Sequence, residues 1–319
     1  PEIQNIGGGC MQWVNGDLLP LSNPLSPTPP PLISPYWKNV CYVGYYFNDD
    51  DISNILKTLE DNNINIIIFD FFQLSLINGI YTFEVYDTVS IWLNLSYEIR
   101  MKLKNNLNNN NVKLMASFGG ANTFNTQGGI IEFLDSTSEY TDPVIMANKI
   151  FEECYTDGNG SYNENNSYDG IDLDVEHINL NSEEDRNKAL LWLGELSKNL
   201  KLGTSTFPNF KFDIISHAPQ TPYFHSQFQN IYNYIEKDYG DYIDFYNIQY
   251  YNQGVGEYIT YEQIFEMDKA FNSSVYQLIT NVSNIYPISL EKIVMGKPVP
   301  SEDYDYNNLL LYDLNNPSN

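Results

Sequence analysis

The segment 64–72 constrains the fold most, because it is an almost unbroken run of apolar residues. A strand with this pattern is buried on both faces, which is typical of a parallel sheet covered by helices. Similar segments alternate with helical patterns along the chain. The predicted strands are residues 40–47, 64–72, 112–118, 169–176, 212–217, 243–250 and 292–295, and the predicted helices are residues 51–60, 96–107, 142–154, 182–200, 227–236 and 261–280. This alternation predicts an α/β fold of parallel strands, for which a closed (β/α)8 barrel requires eight strands.

The predicted strand at 169–176 places carboxyl groups in a row. With a two-residue period, Asp172, Asp174 and Glu176 share one face, and the intervening apolar residues form the other. Like charges side by side raise one another's pKa values, so a chain seldom keeps them for packing alone. A carboxyl that stays protonated near neutral pH is the general acid that cleavage of a glycosidic bond requires. An acidic edge strand and a Mg²⁺ or Ca²⁺ site are the alternative interpretations.

The charge balance narrows the possible partners. The chain has 41 acidic and 16 basic residues, which gives a net charge of −25. This charge argues against nucleic acid and anionic membrane surfaces as partners and fits a neutral ligand. The three cysteines and three histidines lack the spacing of a metal site, so we predict neither a metal nor a cofactor.

Several short motifs, in one order along the chain, resemble a known enzyme family. Asp169-x-x-Asp172-x-Asp174-x-Glu176 is similar to the fourth-strand signature of the family 18 glycoside hydrolases, the chitinase-like barrels. The motifs that resemble the family, and in part its compact plant-type endochitinase branch, are Ser117-Phe118-Gly119-Gly120, Ala218-Pro219-Gln220, Gln249-Tyr250-Tyr251-Asn252 and Gly296-Lys297-Pro298. The resemblance covers residues 40–300 and implies a (β/α)8 TIM barrel.

One motif of that family stands in an unexpected place. The eighth strand of the family carries Gly-x-Met-x-Trp, yet no tryptophan follows Trp192, and Gly9-Cys10-Met11-Gln12-Trp13 matches the pattern instead. We therefore predict a circular permutation of a single catalytic barrel. In it residues 1–19 supply strand eight, the proline-rich residues 20–36 cross over to strand one, and residues 37–319 form the remainder. The alternative is that strand eight completes a neighbouring molecule, which would make the protein self-associate.

The resemblance also implies roles for the carboxylate row. In this family the substrate's own 2-acetamido carbonyl attacks the anomeric carbon, an exception to the scheme with two catalytic carboxylates. Glu176 would be the general acid, and Asp174 would orient the acetamido N–H and stabilise the cation. Asp172 lies deeper and would share a proton with Asp174. Tyr251 would donate its hydroxyl to the acetamido carbonyl oxygen.

Further residues are implied to bind the sugar. Trp13 would form the hydrophobic floor under the sugar at the cleavage site, with Gln249 and Asn252 as hydrogen-bonding partners nearby. Tyr45 or Tyr46, at the end of the first predicted strand, would line the same floor, and the two-residue period does not choose between them.

Three residues near these motifs have other interpretations. Asp169 has the opposite parity to Asp172, which favours a structural role, and His177 also points away from the row, as a packed or hydrogen-bonded histidine would. For Ser117 a plain strand-end turn and a role in the site remain equally open.

The expected function is that of a retaining endo-acting glycoside hydrolase on chitin or another N-acetylglucosamine polymer. Only about forty residues separate the strands at 243–250 and 292–295, which leaves no room for a second walling domain and predicts an open cleft. The alternatives are a glycan-binding structural or filament subunit on the same barrel and an endo-β-N-acetylglucosaminidase acting on N-glycans. We expect an extracellular or surface-exposed protein.

Overall fold

The computed structural model describes residues 38–43, 64–155, 168–254, 256–280 and 286–297. Its strands are β1 (Val40–Val43), β2 (Ile66–Ile77), β3 (Ile80–Val85), β4 (Lys113–Gly119), β5 (Gly170–Asp174), β6 (Ile214–His217), β7 (Phe245–Gln249) and β8 (Ile293–Gly296). Its α-helices are α1 (Asp87–Asn94), α2 (Tyr97–Asn109), α3 (Gly129–Leu134), α4 (Pro143–Tyr155), α5 (Glu183–Leu202), α6 (Ile231–Tyr239) and α7 (Val275–Thr280). Within these residues no helix is both long and apolar enough to cross a bilayer.

The sheet is mostly parallel and runs in chain order. Its strands follow one another as β1-β2-β4-β5-β6-β7-β8, and β3 pairs with β2 as an antiparallel hairpin. Every other strand pair is parallel, and in the described residues α-helices follow β3, β4, β5, β6 and β7. The result is a nearly closed barrel, which confirms the predicted (β/α)8 TIM-barrel class. The predicted strand at 9–13, the crossover at 20–36 and the helix at 51–60 lie outside the described residues.

The core has two layers that follow the two-residue period of the strands. Val40, Ile66, Ile68, Met115 and Phe245 pack together inside the barrel. The alternate positions on the same strands join a larger apolar cluster between the sheet and the helices. A side chain two residues beyond an inner-core residue therefore points into the barrel, at a level closer to its C-terminal mouth.

The helices begin where the sequence places caps. Ser96 and Ser182 each accept a hydrogen bond from a backbone N–H in the first turn, at 3.4 and 3.1 Å. At the start of α4, the carboxylate of Asp142 accepts from the N–H of Val144 at 2.8 Å. Caps of this kind satisfy N–H groups that have no partner within the helix. The predicted helices at 96–107, 142–154 and 182–200 are confirmed within two residues at each end.

Two elements differ from the sequence-based expectation. The strand predicted at 64–72 continues to Ile77 and turns back as β3, because Asn78 and Gly79 adopt positive φ values of 52° and 80°. An Asn-Gly pair suits a two-residue hairpin turn of this kind. The helix predicted at 227–236 begins only at Ile231, because Gln229 and Asn230 are also left-handed.

The helix predicted at 261–280 is wrong as a continuous element. The chain forms one wide turn at Glu262–Glu266, and helix α7 starts only at Val275. Between them, the carboxylate of Asp268 accepts hydrogen bonds from the backbone N–H groups of Ala270, Phe271 and Ser273 at 2.8–3.1 Å. A side chain that satisfies the backbone in this way competes with helix formation.

Candidate active site

The carboxylate row lies along β5 and extends past its end. Asp172 is fully buried, Asp174 is 6% exposed and Glu176 is half-buried at the mouth of the barrel. Strand β5 ends at Asp174, so Glu176 lies two residues beyond the strand rather than at its last position as predicted. The hydroxyl of Tyr223 donates to the backbone carbonyl of Glu176 and holds this extension in place. Active sites of such barrels lie at this C-terminal face.

The glycines at the end of β4 allow β5 to approach closely. The N–H of Gly120 donates to the carbonyl oxygen of Asp174 at 2.7 Å. Gly119 has a φ of +133°, and a Cβ at this position would lie 1.9 Å from the same carbonyl oxygen. Any larger residue at Gly119 would push β4 away from the carboxylate row. The Ser117–Gly120 motif therefore shapes this edge of the site.

Asp172 is held by donors from four other strands. Its Oδ2 accepts from the hydroxyls of Tyr42 on β1, at 2.9 Å, and Ser117 on β4, at 3.0 Å. Its Oδ1 accepts from the hydroxyl of Ser216 on β6 at 2.5 Å and from the amide of Asn247 on β7 at 3.5 Å. Four donors from around the barrel fix this carboxyl at the centre of the fold. The sequence leaves the role of Ser117 open, and the structure shows that its hydroxyl contacts the row directly.

Two glutamine amides contact the upper carboxyls. Gln249 Nε2 donates to Asp174 Oδ1 at 2.8 Å and to the carbonyl oxygen of Ala218 at 3.0 Å. Gln220 Nε2 lies 3.5 Å from Glu176 Oε2. Asp174 and Glu176 are therefore oriented by side chains from the ends of β6 and β7. Gln249 was among the predicted binding residues, whereas Gln220 was noted only as part of a motif.

The surroundings of the carboxylate row favour the protonated form of its three carboxyls. Burial raises the pKa of Asp172, although hydrogen bonds from its four donors work against the shift. Burial, then Glu176 and Asp172, raise the pKa of Asp174 well above its usual range. Burial also raises the pKa of Glu176, opposed by hydrogen bonds from Gln249 and Gln220. A carboxyl in this environment keeps its proton at higher pH than in water, as a general acid must.

The other predicted site residues lie around this centre or outside the described residues. Tyr251 and Asn252 directly follow β7, where Tyr251 is half-buried, and Asn252 is exposed with a φ of 60°. Burial, then Asp172 and Asp174, raise the pKa of Tyr42, and Tyr251 adds to this effect. Trp13, Tyr45 and Tyr46 lie outside the described residues.

Several functional side chains were missed by sequence reasoning. Tyr42, Ser216 and Asn247 all contact Asp172, yet each stands within an ordinary strand segment without a motif. The available signal is their parity, since Tyr42 lies two residues after the inner-core residue Val40, and Asn247 two residues after Phe245. Polar residues are rare at inner positions of a barrel, so a polar residue with inward parity is a site candidate for that reason alone.

The residues next to the row have structural contacts. Asp169 pairs with Lys104 at 2.7 Å and accepts from the N–H of Leu114 at 2.8 Å, which agrees with its structural interpretation. His177 Nε2 lies 2.8 Å from the carbonyl oxygen of Ala121. In the described part of the chain, no group of three or more His, Cys, Asp or Glu side chains is arranged to hold a metal ion.

Comparison with known proteins bears on the fold and the family of the chain. No curated protein sequence matches the chain. Among solved structures, a GH18 chitinase from Pseudoalteromonas aurantia is similar with a TM-score of 0.55 and 19% identity, over 84% of this chain and 82% of that chain. The ICChI chitinase from Ipomoea carnea (TM-score 0.43, 14% identity) covers 78% of this chain and 76% of its own. A xylanase and α-amylase inhibitor protein from Scadoxus multiflorus (TM-score 0.42, 16% identity) covers 69% and 67%. These likenesses concern the fold alone.

Residues 38–301 match the family described as Glycosyl hydrolases family 18, and the chain belongs to this family.

Proposed function

We propose that the protein is a retaining, endo-acting glycoside hydrolase that cleaves β-1,4-linked N-acetylglucosamine polymers. The observation that carries this proposal is the graded row of Asp172, Asp174 and Glu176, which runs from the buried centre of the barrel to its mouth. A row used only for packing would need neither a half-buried carboxyl at the mouth nor an amide contact to it. Family membership supports the same reaction class.

Glu176 acts as the general acid in this proposal. Its raised pKa, caused mainly by burial, leaves a proton available for the oxygen of the leaving sugar. Asp174 is the next carboxyl in the row and is either charged or protonated. It accepts a hydrogen bond from the amide of Gln249. Because the two carboxyls influence each other, their protons leave in steps that belong to the pair. Asp172 supports the pair from below.

The substrate supplies the nucleophile, as the family resemblance implies. The acetamido carbonyl oxygen attacks the anomeric carbon while Glu176 gives its proton to the departing oxygen, and water later opens the cyclic intermediate. Asp174 accepts the acetamido N–H and stabilises the positive charge. Tyr251 holds the carbonyl oxygen through its hydroxyl, and Asn252 binds a neighbouring sugar hydroxyl.

The cleft favours cutting within a polymer. Between β7 and β8 the described residues form turns and the short helix α7, without a strand. We expect an open cleft, which would admit a chain from the side rather than from its end. Trp13 and either Tyr45 or Tyr46 would complete the floor of the site.

The decisive experiment compares hydrolysis of a fluorogenic chitotrioside by the wild type and by Glu176→Gln. We expect the variant to lose at least about 10²-fold to 10⁴-fold in kcat, the usual contribution of a general acid. Binding of chitin oligosaccharides should persist in the variant, because the amide keeps the shape of the site. The matched control is Glu183→Gln, on the exposed start of α5, which should retain wild-type turnover.

Three results would redirect the proposal. Unchanged hydrolysis in Glu176→Gln would remove this residue from the acid role. Release of glycans from a high-mannose glycoprotein, without cleavage of chitin oligomers, would identify an endo-β-N-acetylglucosaminidase instead. Oligosaccharide binding without hydrolysis by the wild type would identify a glycan-binding subunit.

We also propose that the protein works outside the cell or at its surface. An insoluble polymer cannot cross a membrane, so its hydrolase must be exported. Fractionation of cells that naturally produce the protein should place the activity in the medium or on the surface, and activity confined to the cytosol would contradict this.

A further inference from the structure

Asp70 on β2 is a buried carboxyl that belongs to none of the motifs above. It lies two residues after Ile68, an inner-core residue, so its side chain lies on the same, inward side of the strand. The register between β2 and β4 shifts between Phe69 and Phe72, which places Asp70 within an irregular segment at the top of the barrel. Only 8% of Asp70 is exposed.

Asp70 lies on the side of the sheet that carries the carboxylate row. Strand β2 lies between β1 and β4, and these two strands send Tyr42 and Ser117 to Oδ2 of Asp172. The backbone of Asp70 is fixed by Thr88, whose hydroxyl accepts from its N–H at 2.8 Å and lies 3.0 Å from its carbonyl oxygen. In contrast, Oδ1 of Asp70 is buried without a hydrogen-bond partner in the described part of the chain.

The groups that face Asp70 are mainly acidic. Burial raises its pKa to about 8, with contributions from Asp172 on β5 and Asp87 at the start of α1. In turn, Asp70 contributes to the raised pKa of Asp174, after burial, Glu176 and Asp172. No lysine or arginine among the described residues forms an ion pair with Asp70. A protein that retains an unpaired buried carboxyl beside other acids bears a cost in stability.

We propose that Asp70 is a positioning residue for the catalytic proton, a fourth inward carboxyl that acts through Asp174 so that Glu176 keeps its proton to higher pH. This inference rests on the proposed function and names a residue beyond the motif. Four carboxyls in one poorly solvated site cannot all ionise, so each one raises the proton affinity of the others.

The sign of the effect follows from charge. As the pH rises past about 8, ionisation of Asp70 adds a negative charge near Asp174, and loss of a further proton from the Asp174–Glu176 pair becomes less favourable. Removing that charge should let the pair lose its proton earlier. The acid form of Glu176 would then disappear at lower pH.

The test is the pH dependence of kcat between pH 5 and 10 for the wild-type chain and for Asp70→Asn, on a fluorogenic chitotrioside. We expect the alkaline midpoint of Asp70→Asn to fall by about half a pH unit or more, the size expected for one nearby charge. The matched control is Glu236→Gln, a buried carboxyl that pairs with Lys292 and Tyr246. It should destabilise the protein without moving this midpoint. Alkaline limbs that superimpose in Asp70→Asn and the wild type overturn the inference.

A second readout does not depend on hydrolysis. When the pKa of a carboxyl is raised on folding, the folded protein loses stability as the pH rises from the unfolded pKa of that carboxyl, about 4, towards its folded pKa. The Tm of Asp70→Asn minus that of the wild type should therefore grow between pH 4 and pH 8. A difference that stays constant over this range overturns the inference, and Asp70→Ser serves as the neutral variant if the asparagine variant does not fold. If the wild type hydrolyses no glycan, the proposed function fails, while this thermal comparison still decides the protonation of Asp70.

Discussion

At the scale of single residues, Tyr42 connects the first strand to the carboxylate row. Its hydroxyl donates to Asp172 and accepts from the amide of Asn247, both at 2.9 Å. The hydroxyl thus joins β1, β5 and β7 across the inside of the barrel. Networks of this kind fix one geometry when every member has a partner, and they are costly when one partner is removed.

Replacing Tyr42 with phenylalanine should therefore weaken both stability and catalysis. We expect the free energy of unfolding to fall by about 1–3 kcal/mol, because Asn247 and Asp172, which are both buried, each lose a hydrogen-bond partner. The same loss should lower kcat by about tenfold, through a less well-oriented Asp172. Urea unfolding and steady-state kinetics measure the two effects. Tyr86→Phe is the control, since the Tyr86 hydroxyl contacts Glu84 at the surface, and an equal loss in that variant would contradict the explanation.

At the scale of elements, sequence reasoning succeeded where local chemistry decides the structure. The capped helices and the parallel strands could be predicted, because side chains at their own ends or faces determine them. The two-residue period of a strand also predicted that Asp172 and Asp174 point to the same face. The donors that hold Asp172 could not be predicted, because other strands bring side chains such as Ser216 from far along the chain.

Local chemistry also explains what was overlooked. The Asn78-Gly79 pair is a strong hairpin signal that was available in the sequence, and strand β3 follows from it. The interruption of the helix predicted at 261–280 was harder to foresee. The apolar pattern fits a helix, but Asp268 satisfies three backbone N–H groups that the helix would need.

Asp268 should accordingly be essential for the segment between β7 and β8. It is 1% exposed, and it also accepts the hydroxyl of Tyr258 at 2.6 Å. We expect Asp268→Ala to cost about 3 kcal/mol or more, since several buried donors lose their acceptor together. Activity should fall as well, because Tyr250, next to Tyr251, donates to the carbonyl oxygen of Ser273 within this segment.

The control for this change is Asp238→Ala, which removes an exposed carboxylate that lies 3.8 Å from Lys237. Exposed ion pairs contribute little, so this variant should change the free energy of unfolding by less than about 1 kcal/mol. Denaturant titrations of the two variants compare them directly. Similar small losses in both would show that Asp268 does not organise the segment.

At the scale of the whole molecule, the ends of the described sheet lie near each other. Strands β1 and β8 are not paired with each other among the described residues. Immediately before them, Lys38 Nζ donates to the carbonyl oxygen of Glu291 at 2.8 Å, and it lies 5.5 Å from the ring centroid of Phe245. A lysine side chain with one hydrogen bond spans roughly 10 Å, about two strand spacings. This reach is an upper bound, so the starts of β1 and β8 leave room for at most one further strand between them.

Residues 9–13 carry the Gly-x-Met-x-Trp pattern that the family resemblance assigns to this strand. We expect a chain without residues 1–19 to lose most of its activity and to unfold at a lower temperature than the full chain. The loss would arise because β1 and β8 keep unpaired backbone groups and Trp13 no longer lies under the sugar. Wild-type activity and Tm in this truncated chain would contradict the predicted permutation.

The state of association decides whether such a strand completes its own barrel or that of a neighbour. The proline-rich residues 20–36 could extend to roughly 50 Å, which suffices to return from the mouth of the barrel to the base of β1 within one molecule. An intramolecular strand predicts that the full chain sediments as a monomer at every concentration, with specific activity independent of dilution. Donation between molecules predicts dimers or filaments that lose activity on dilution, because a barrel without its neighbour's strand is incomplete. Sedimentation velocity and activity measured over the same dilution series separate these outcomes.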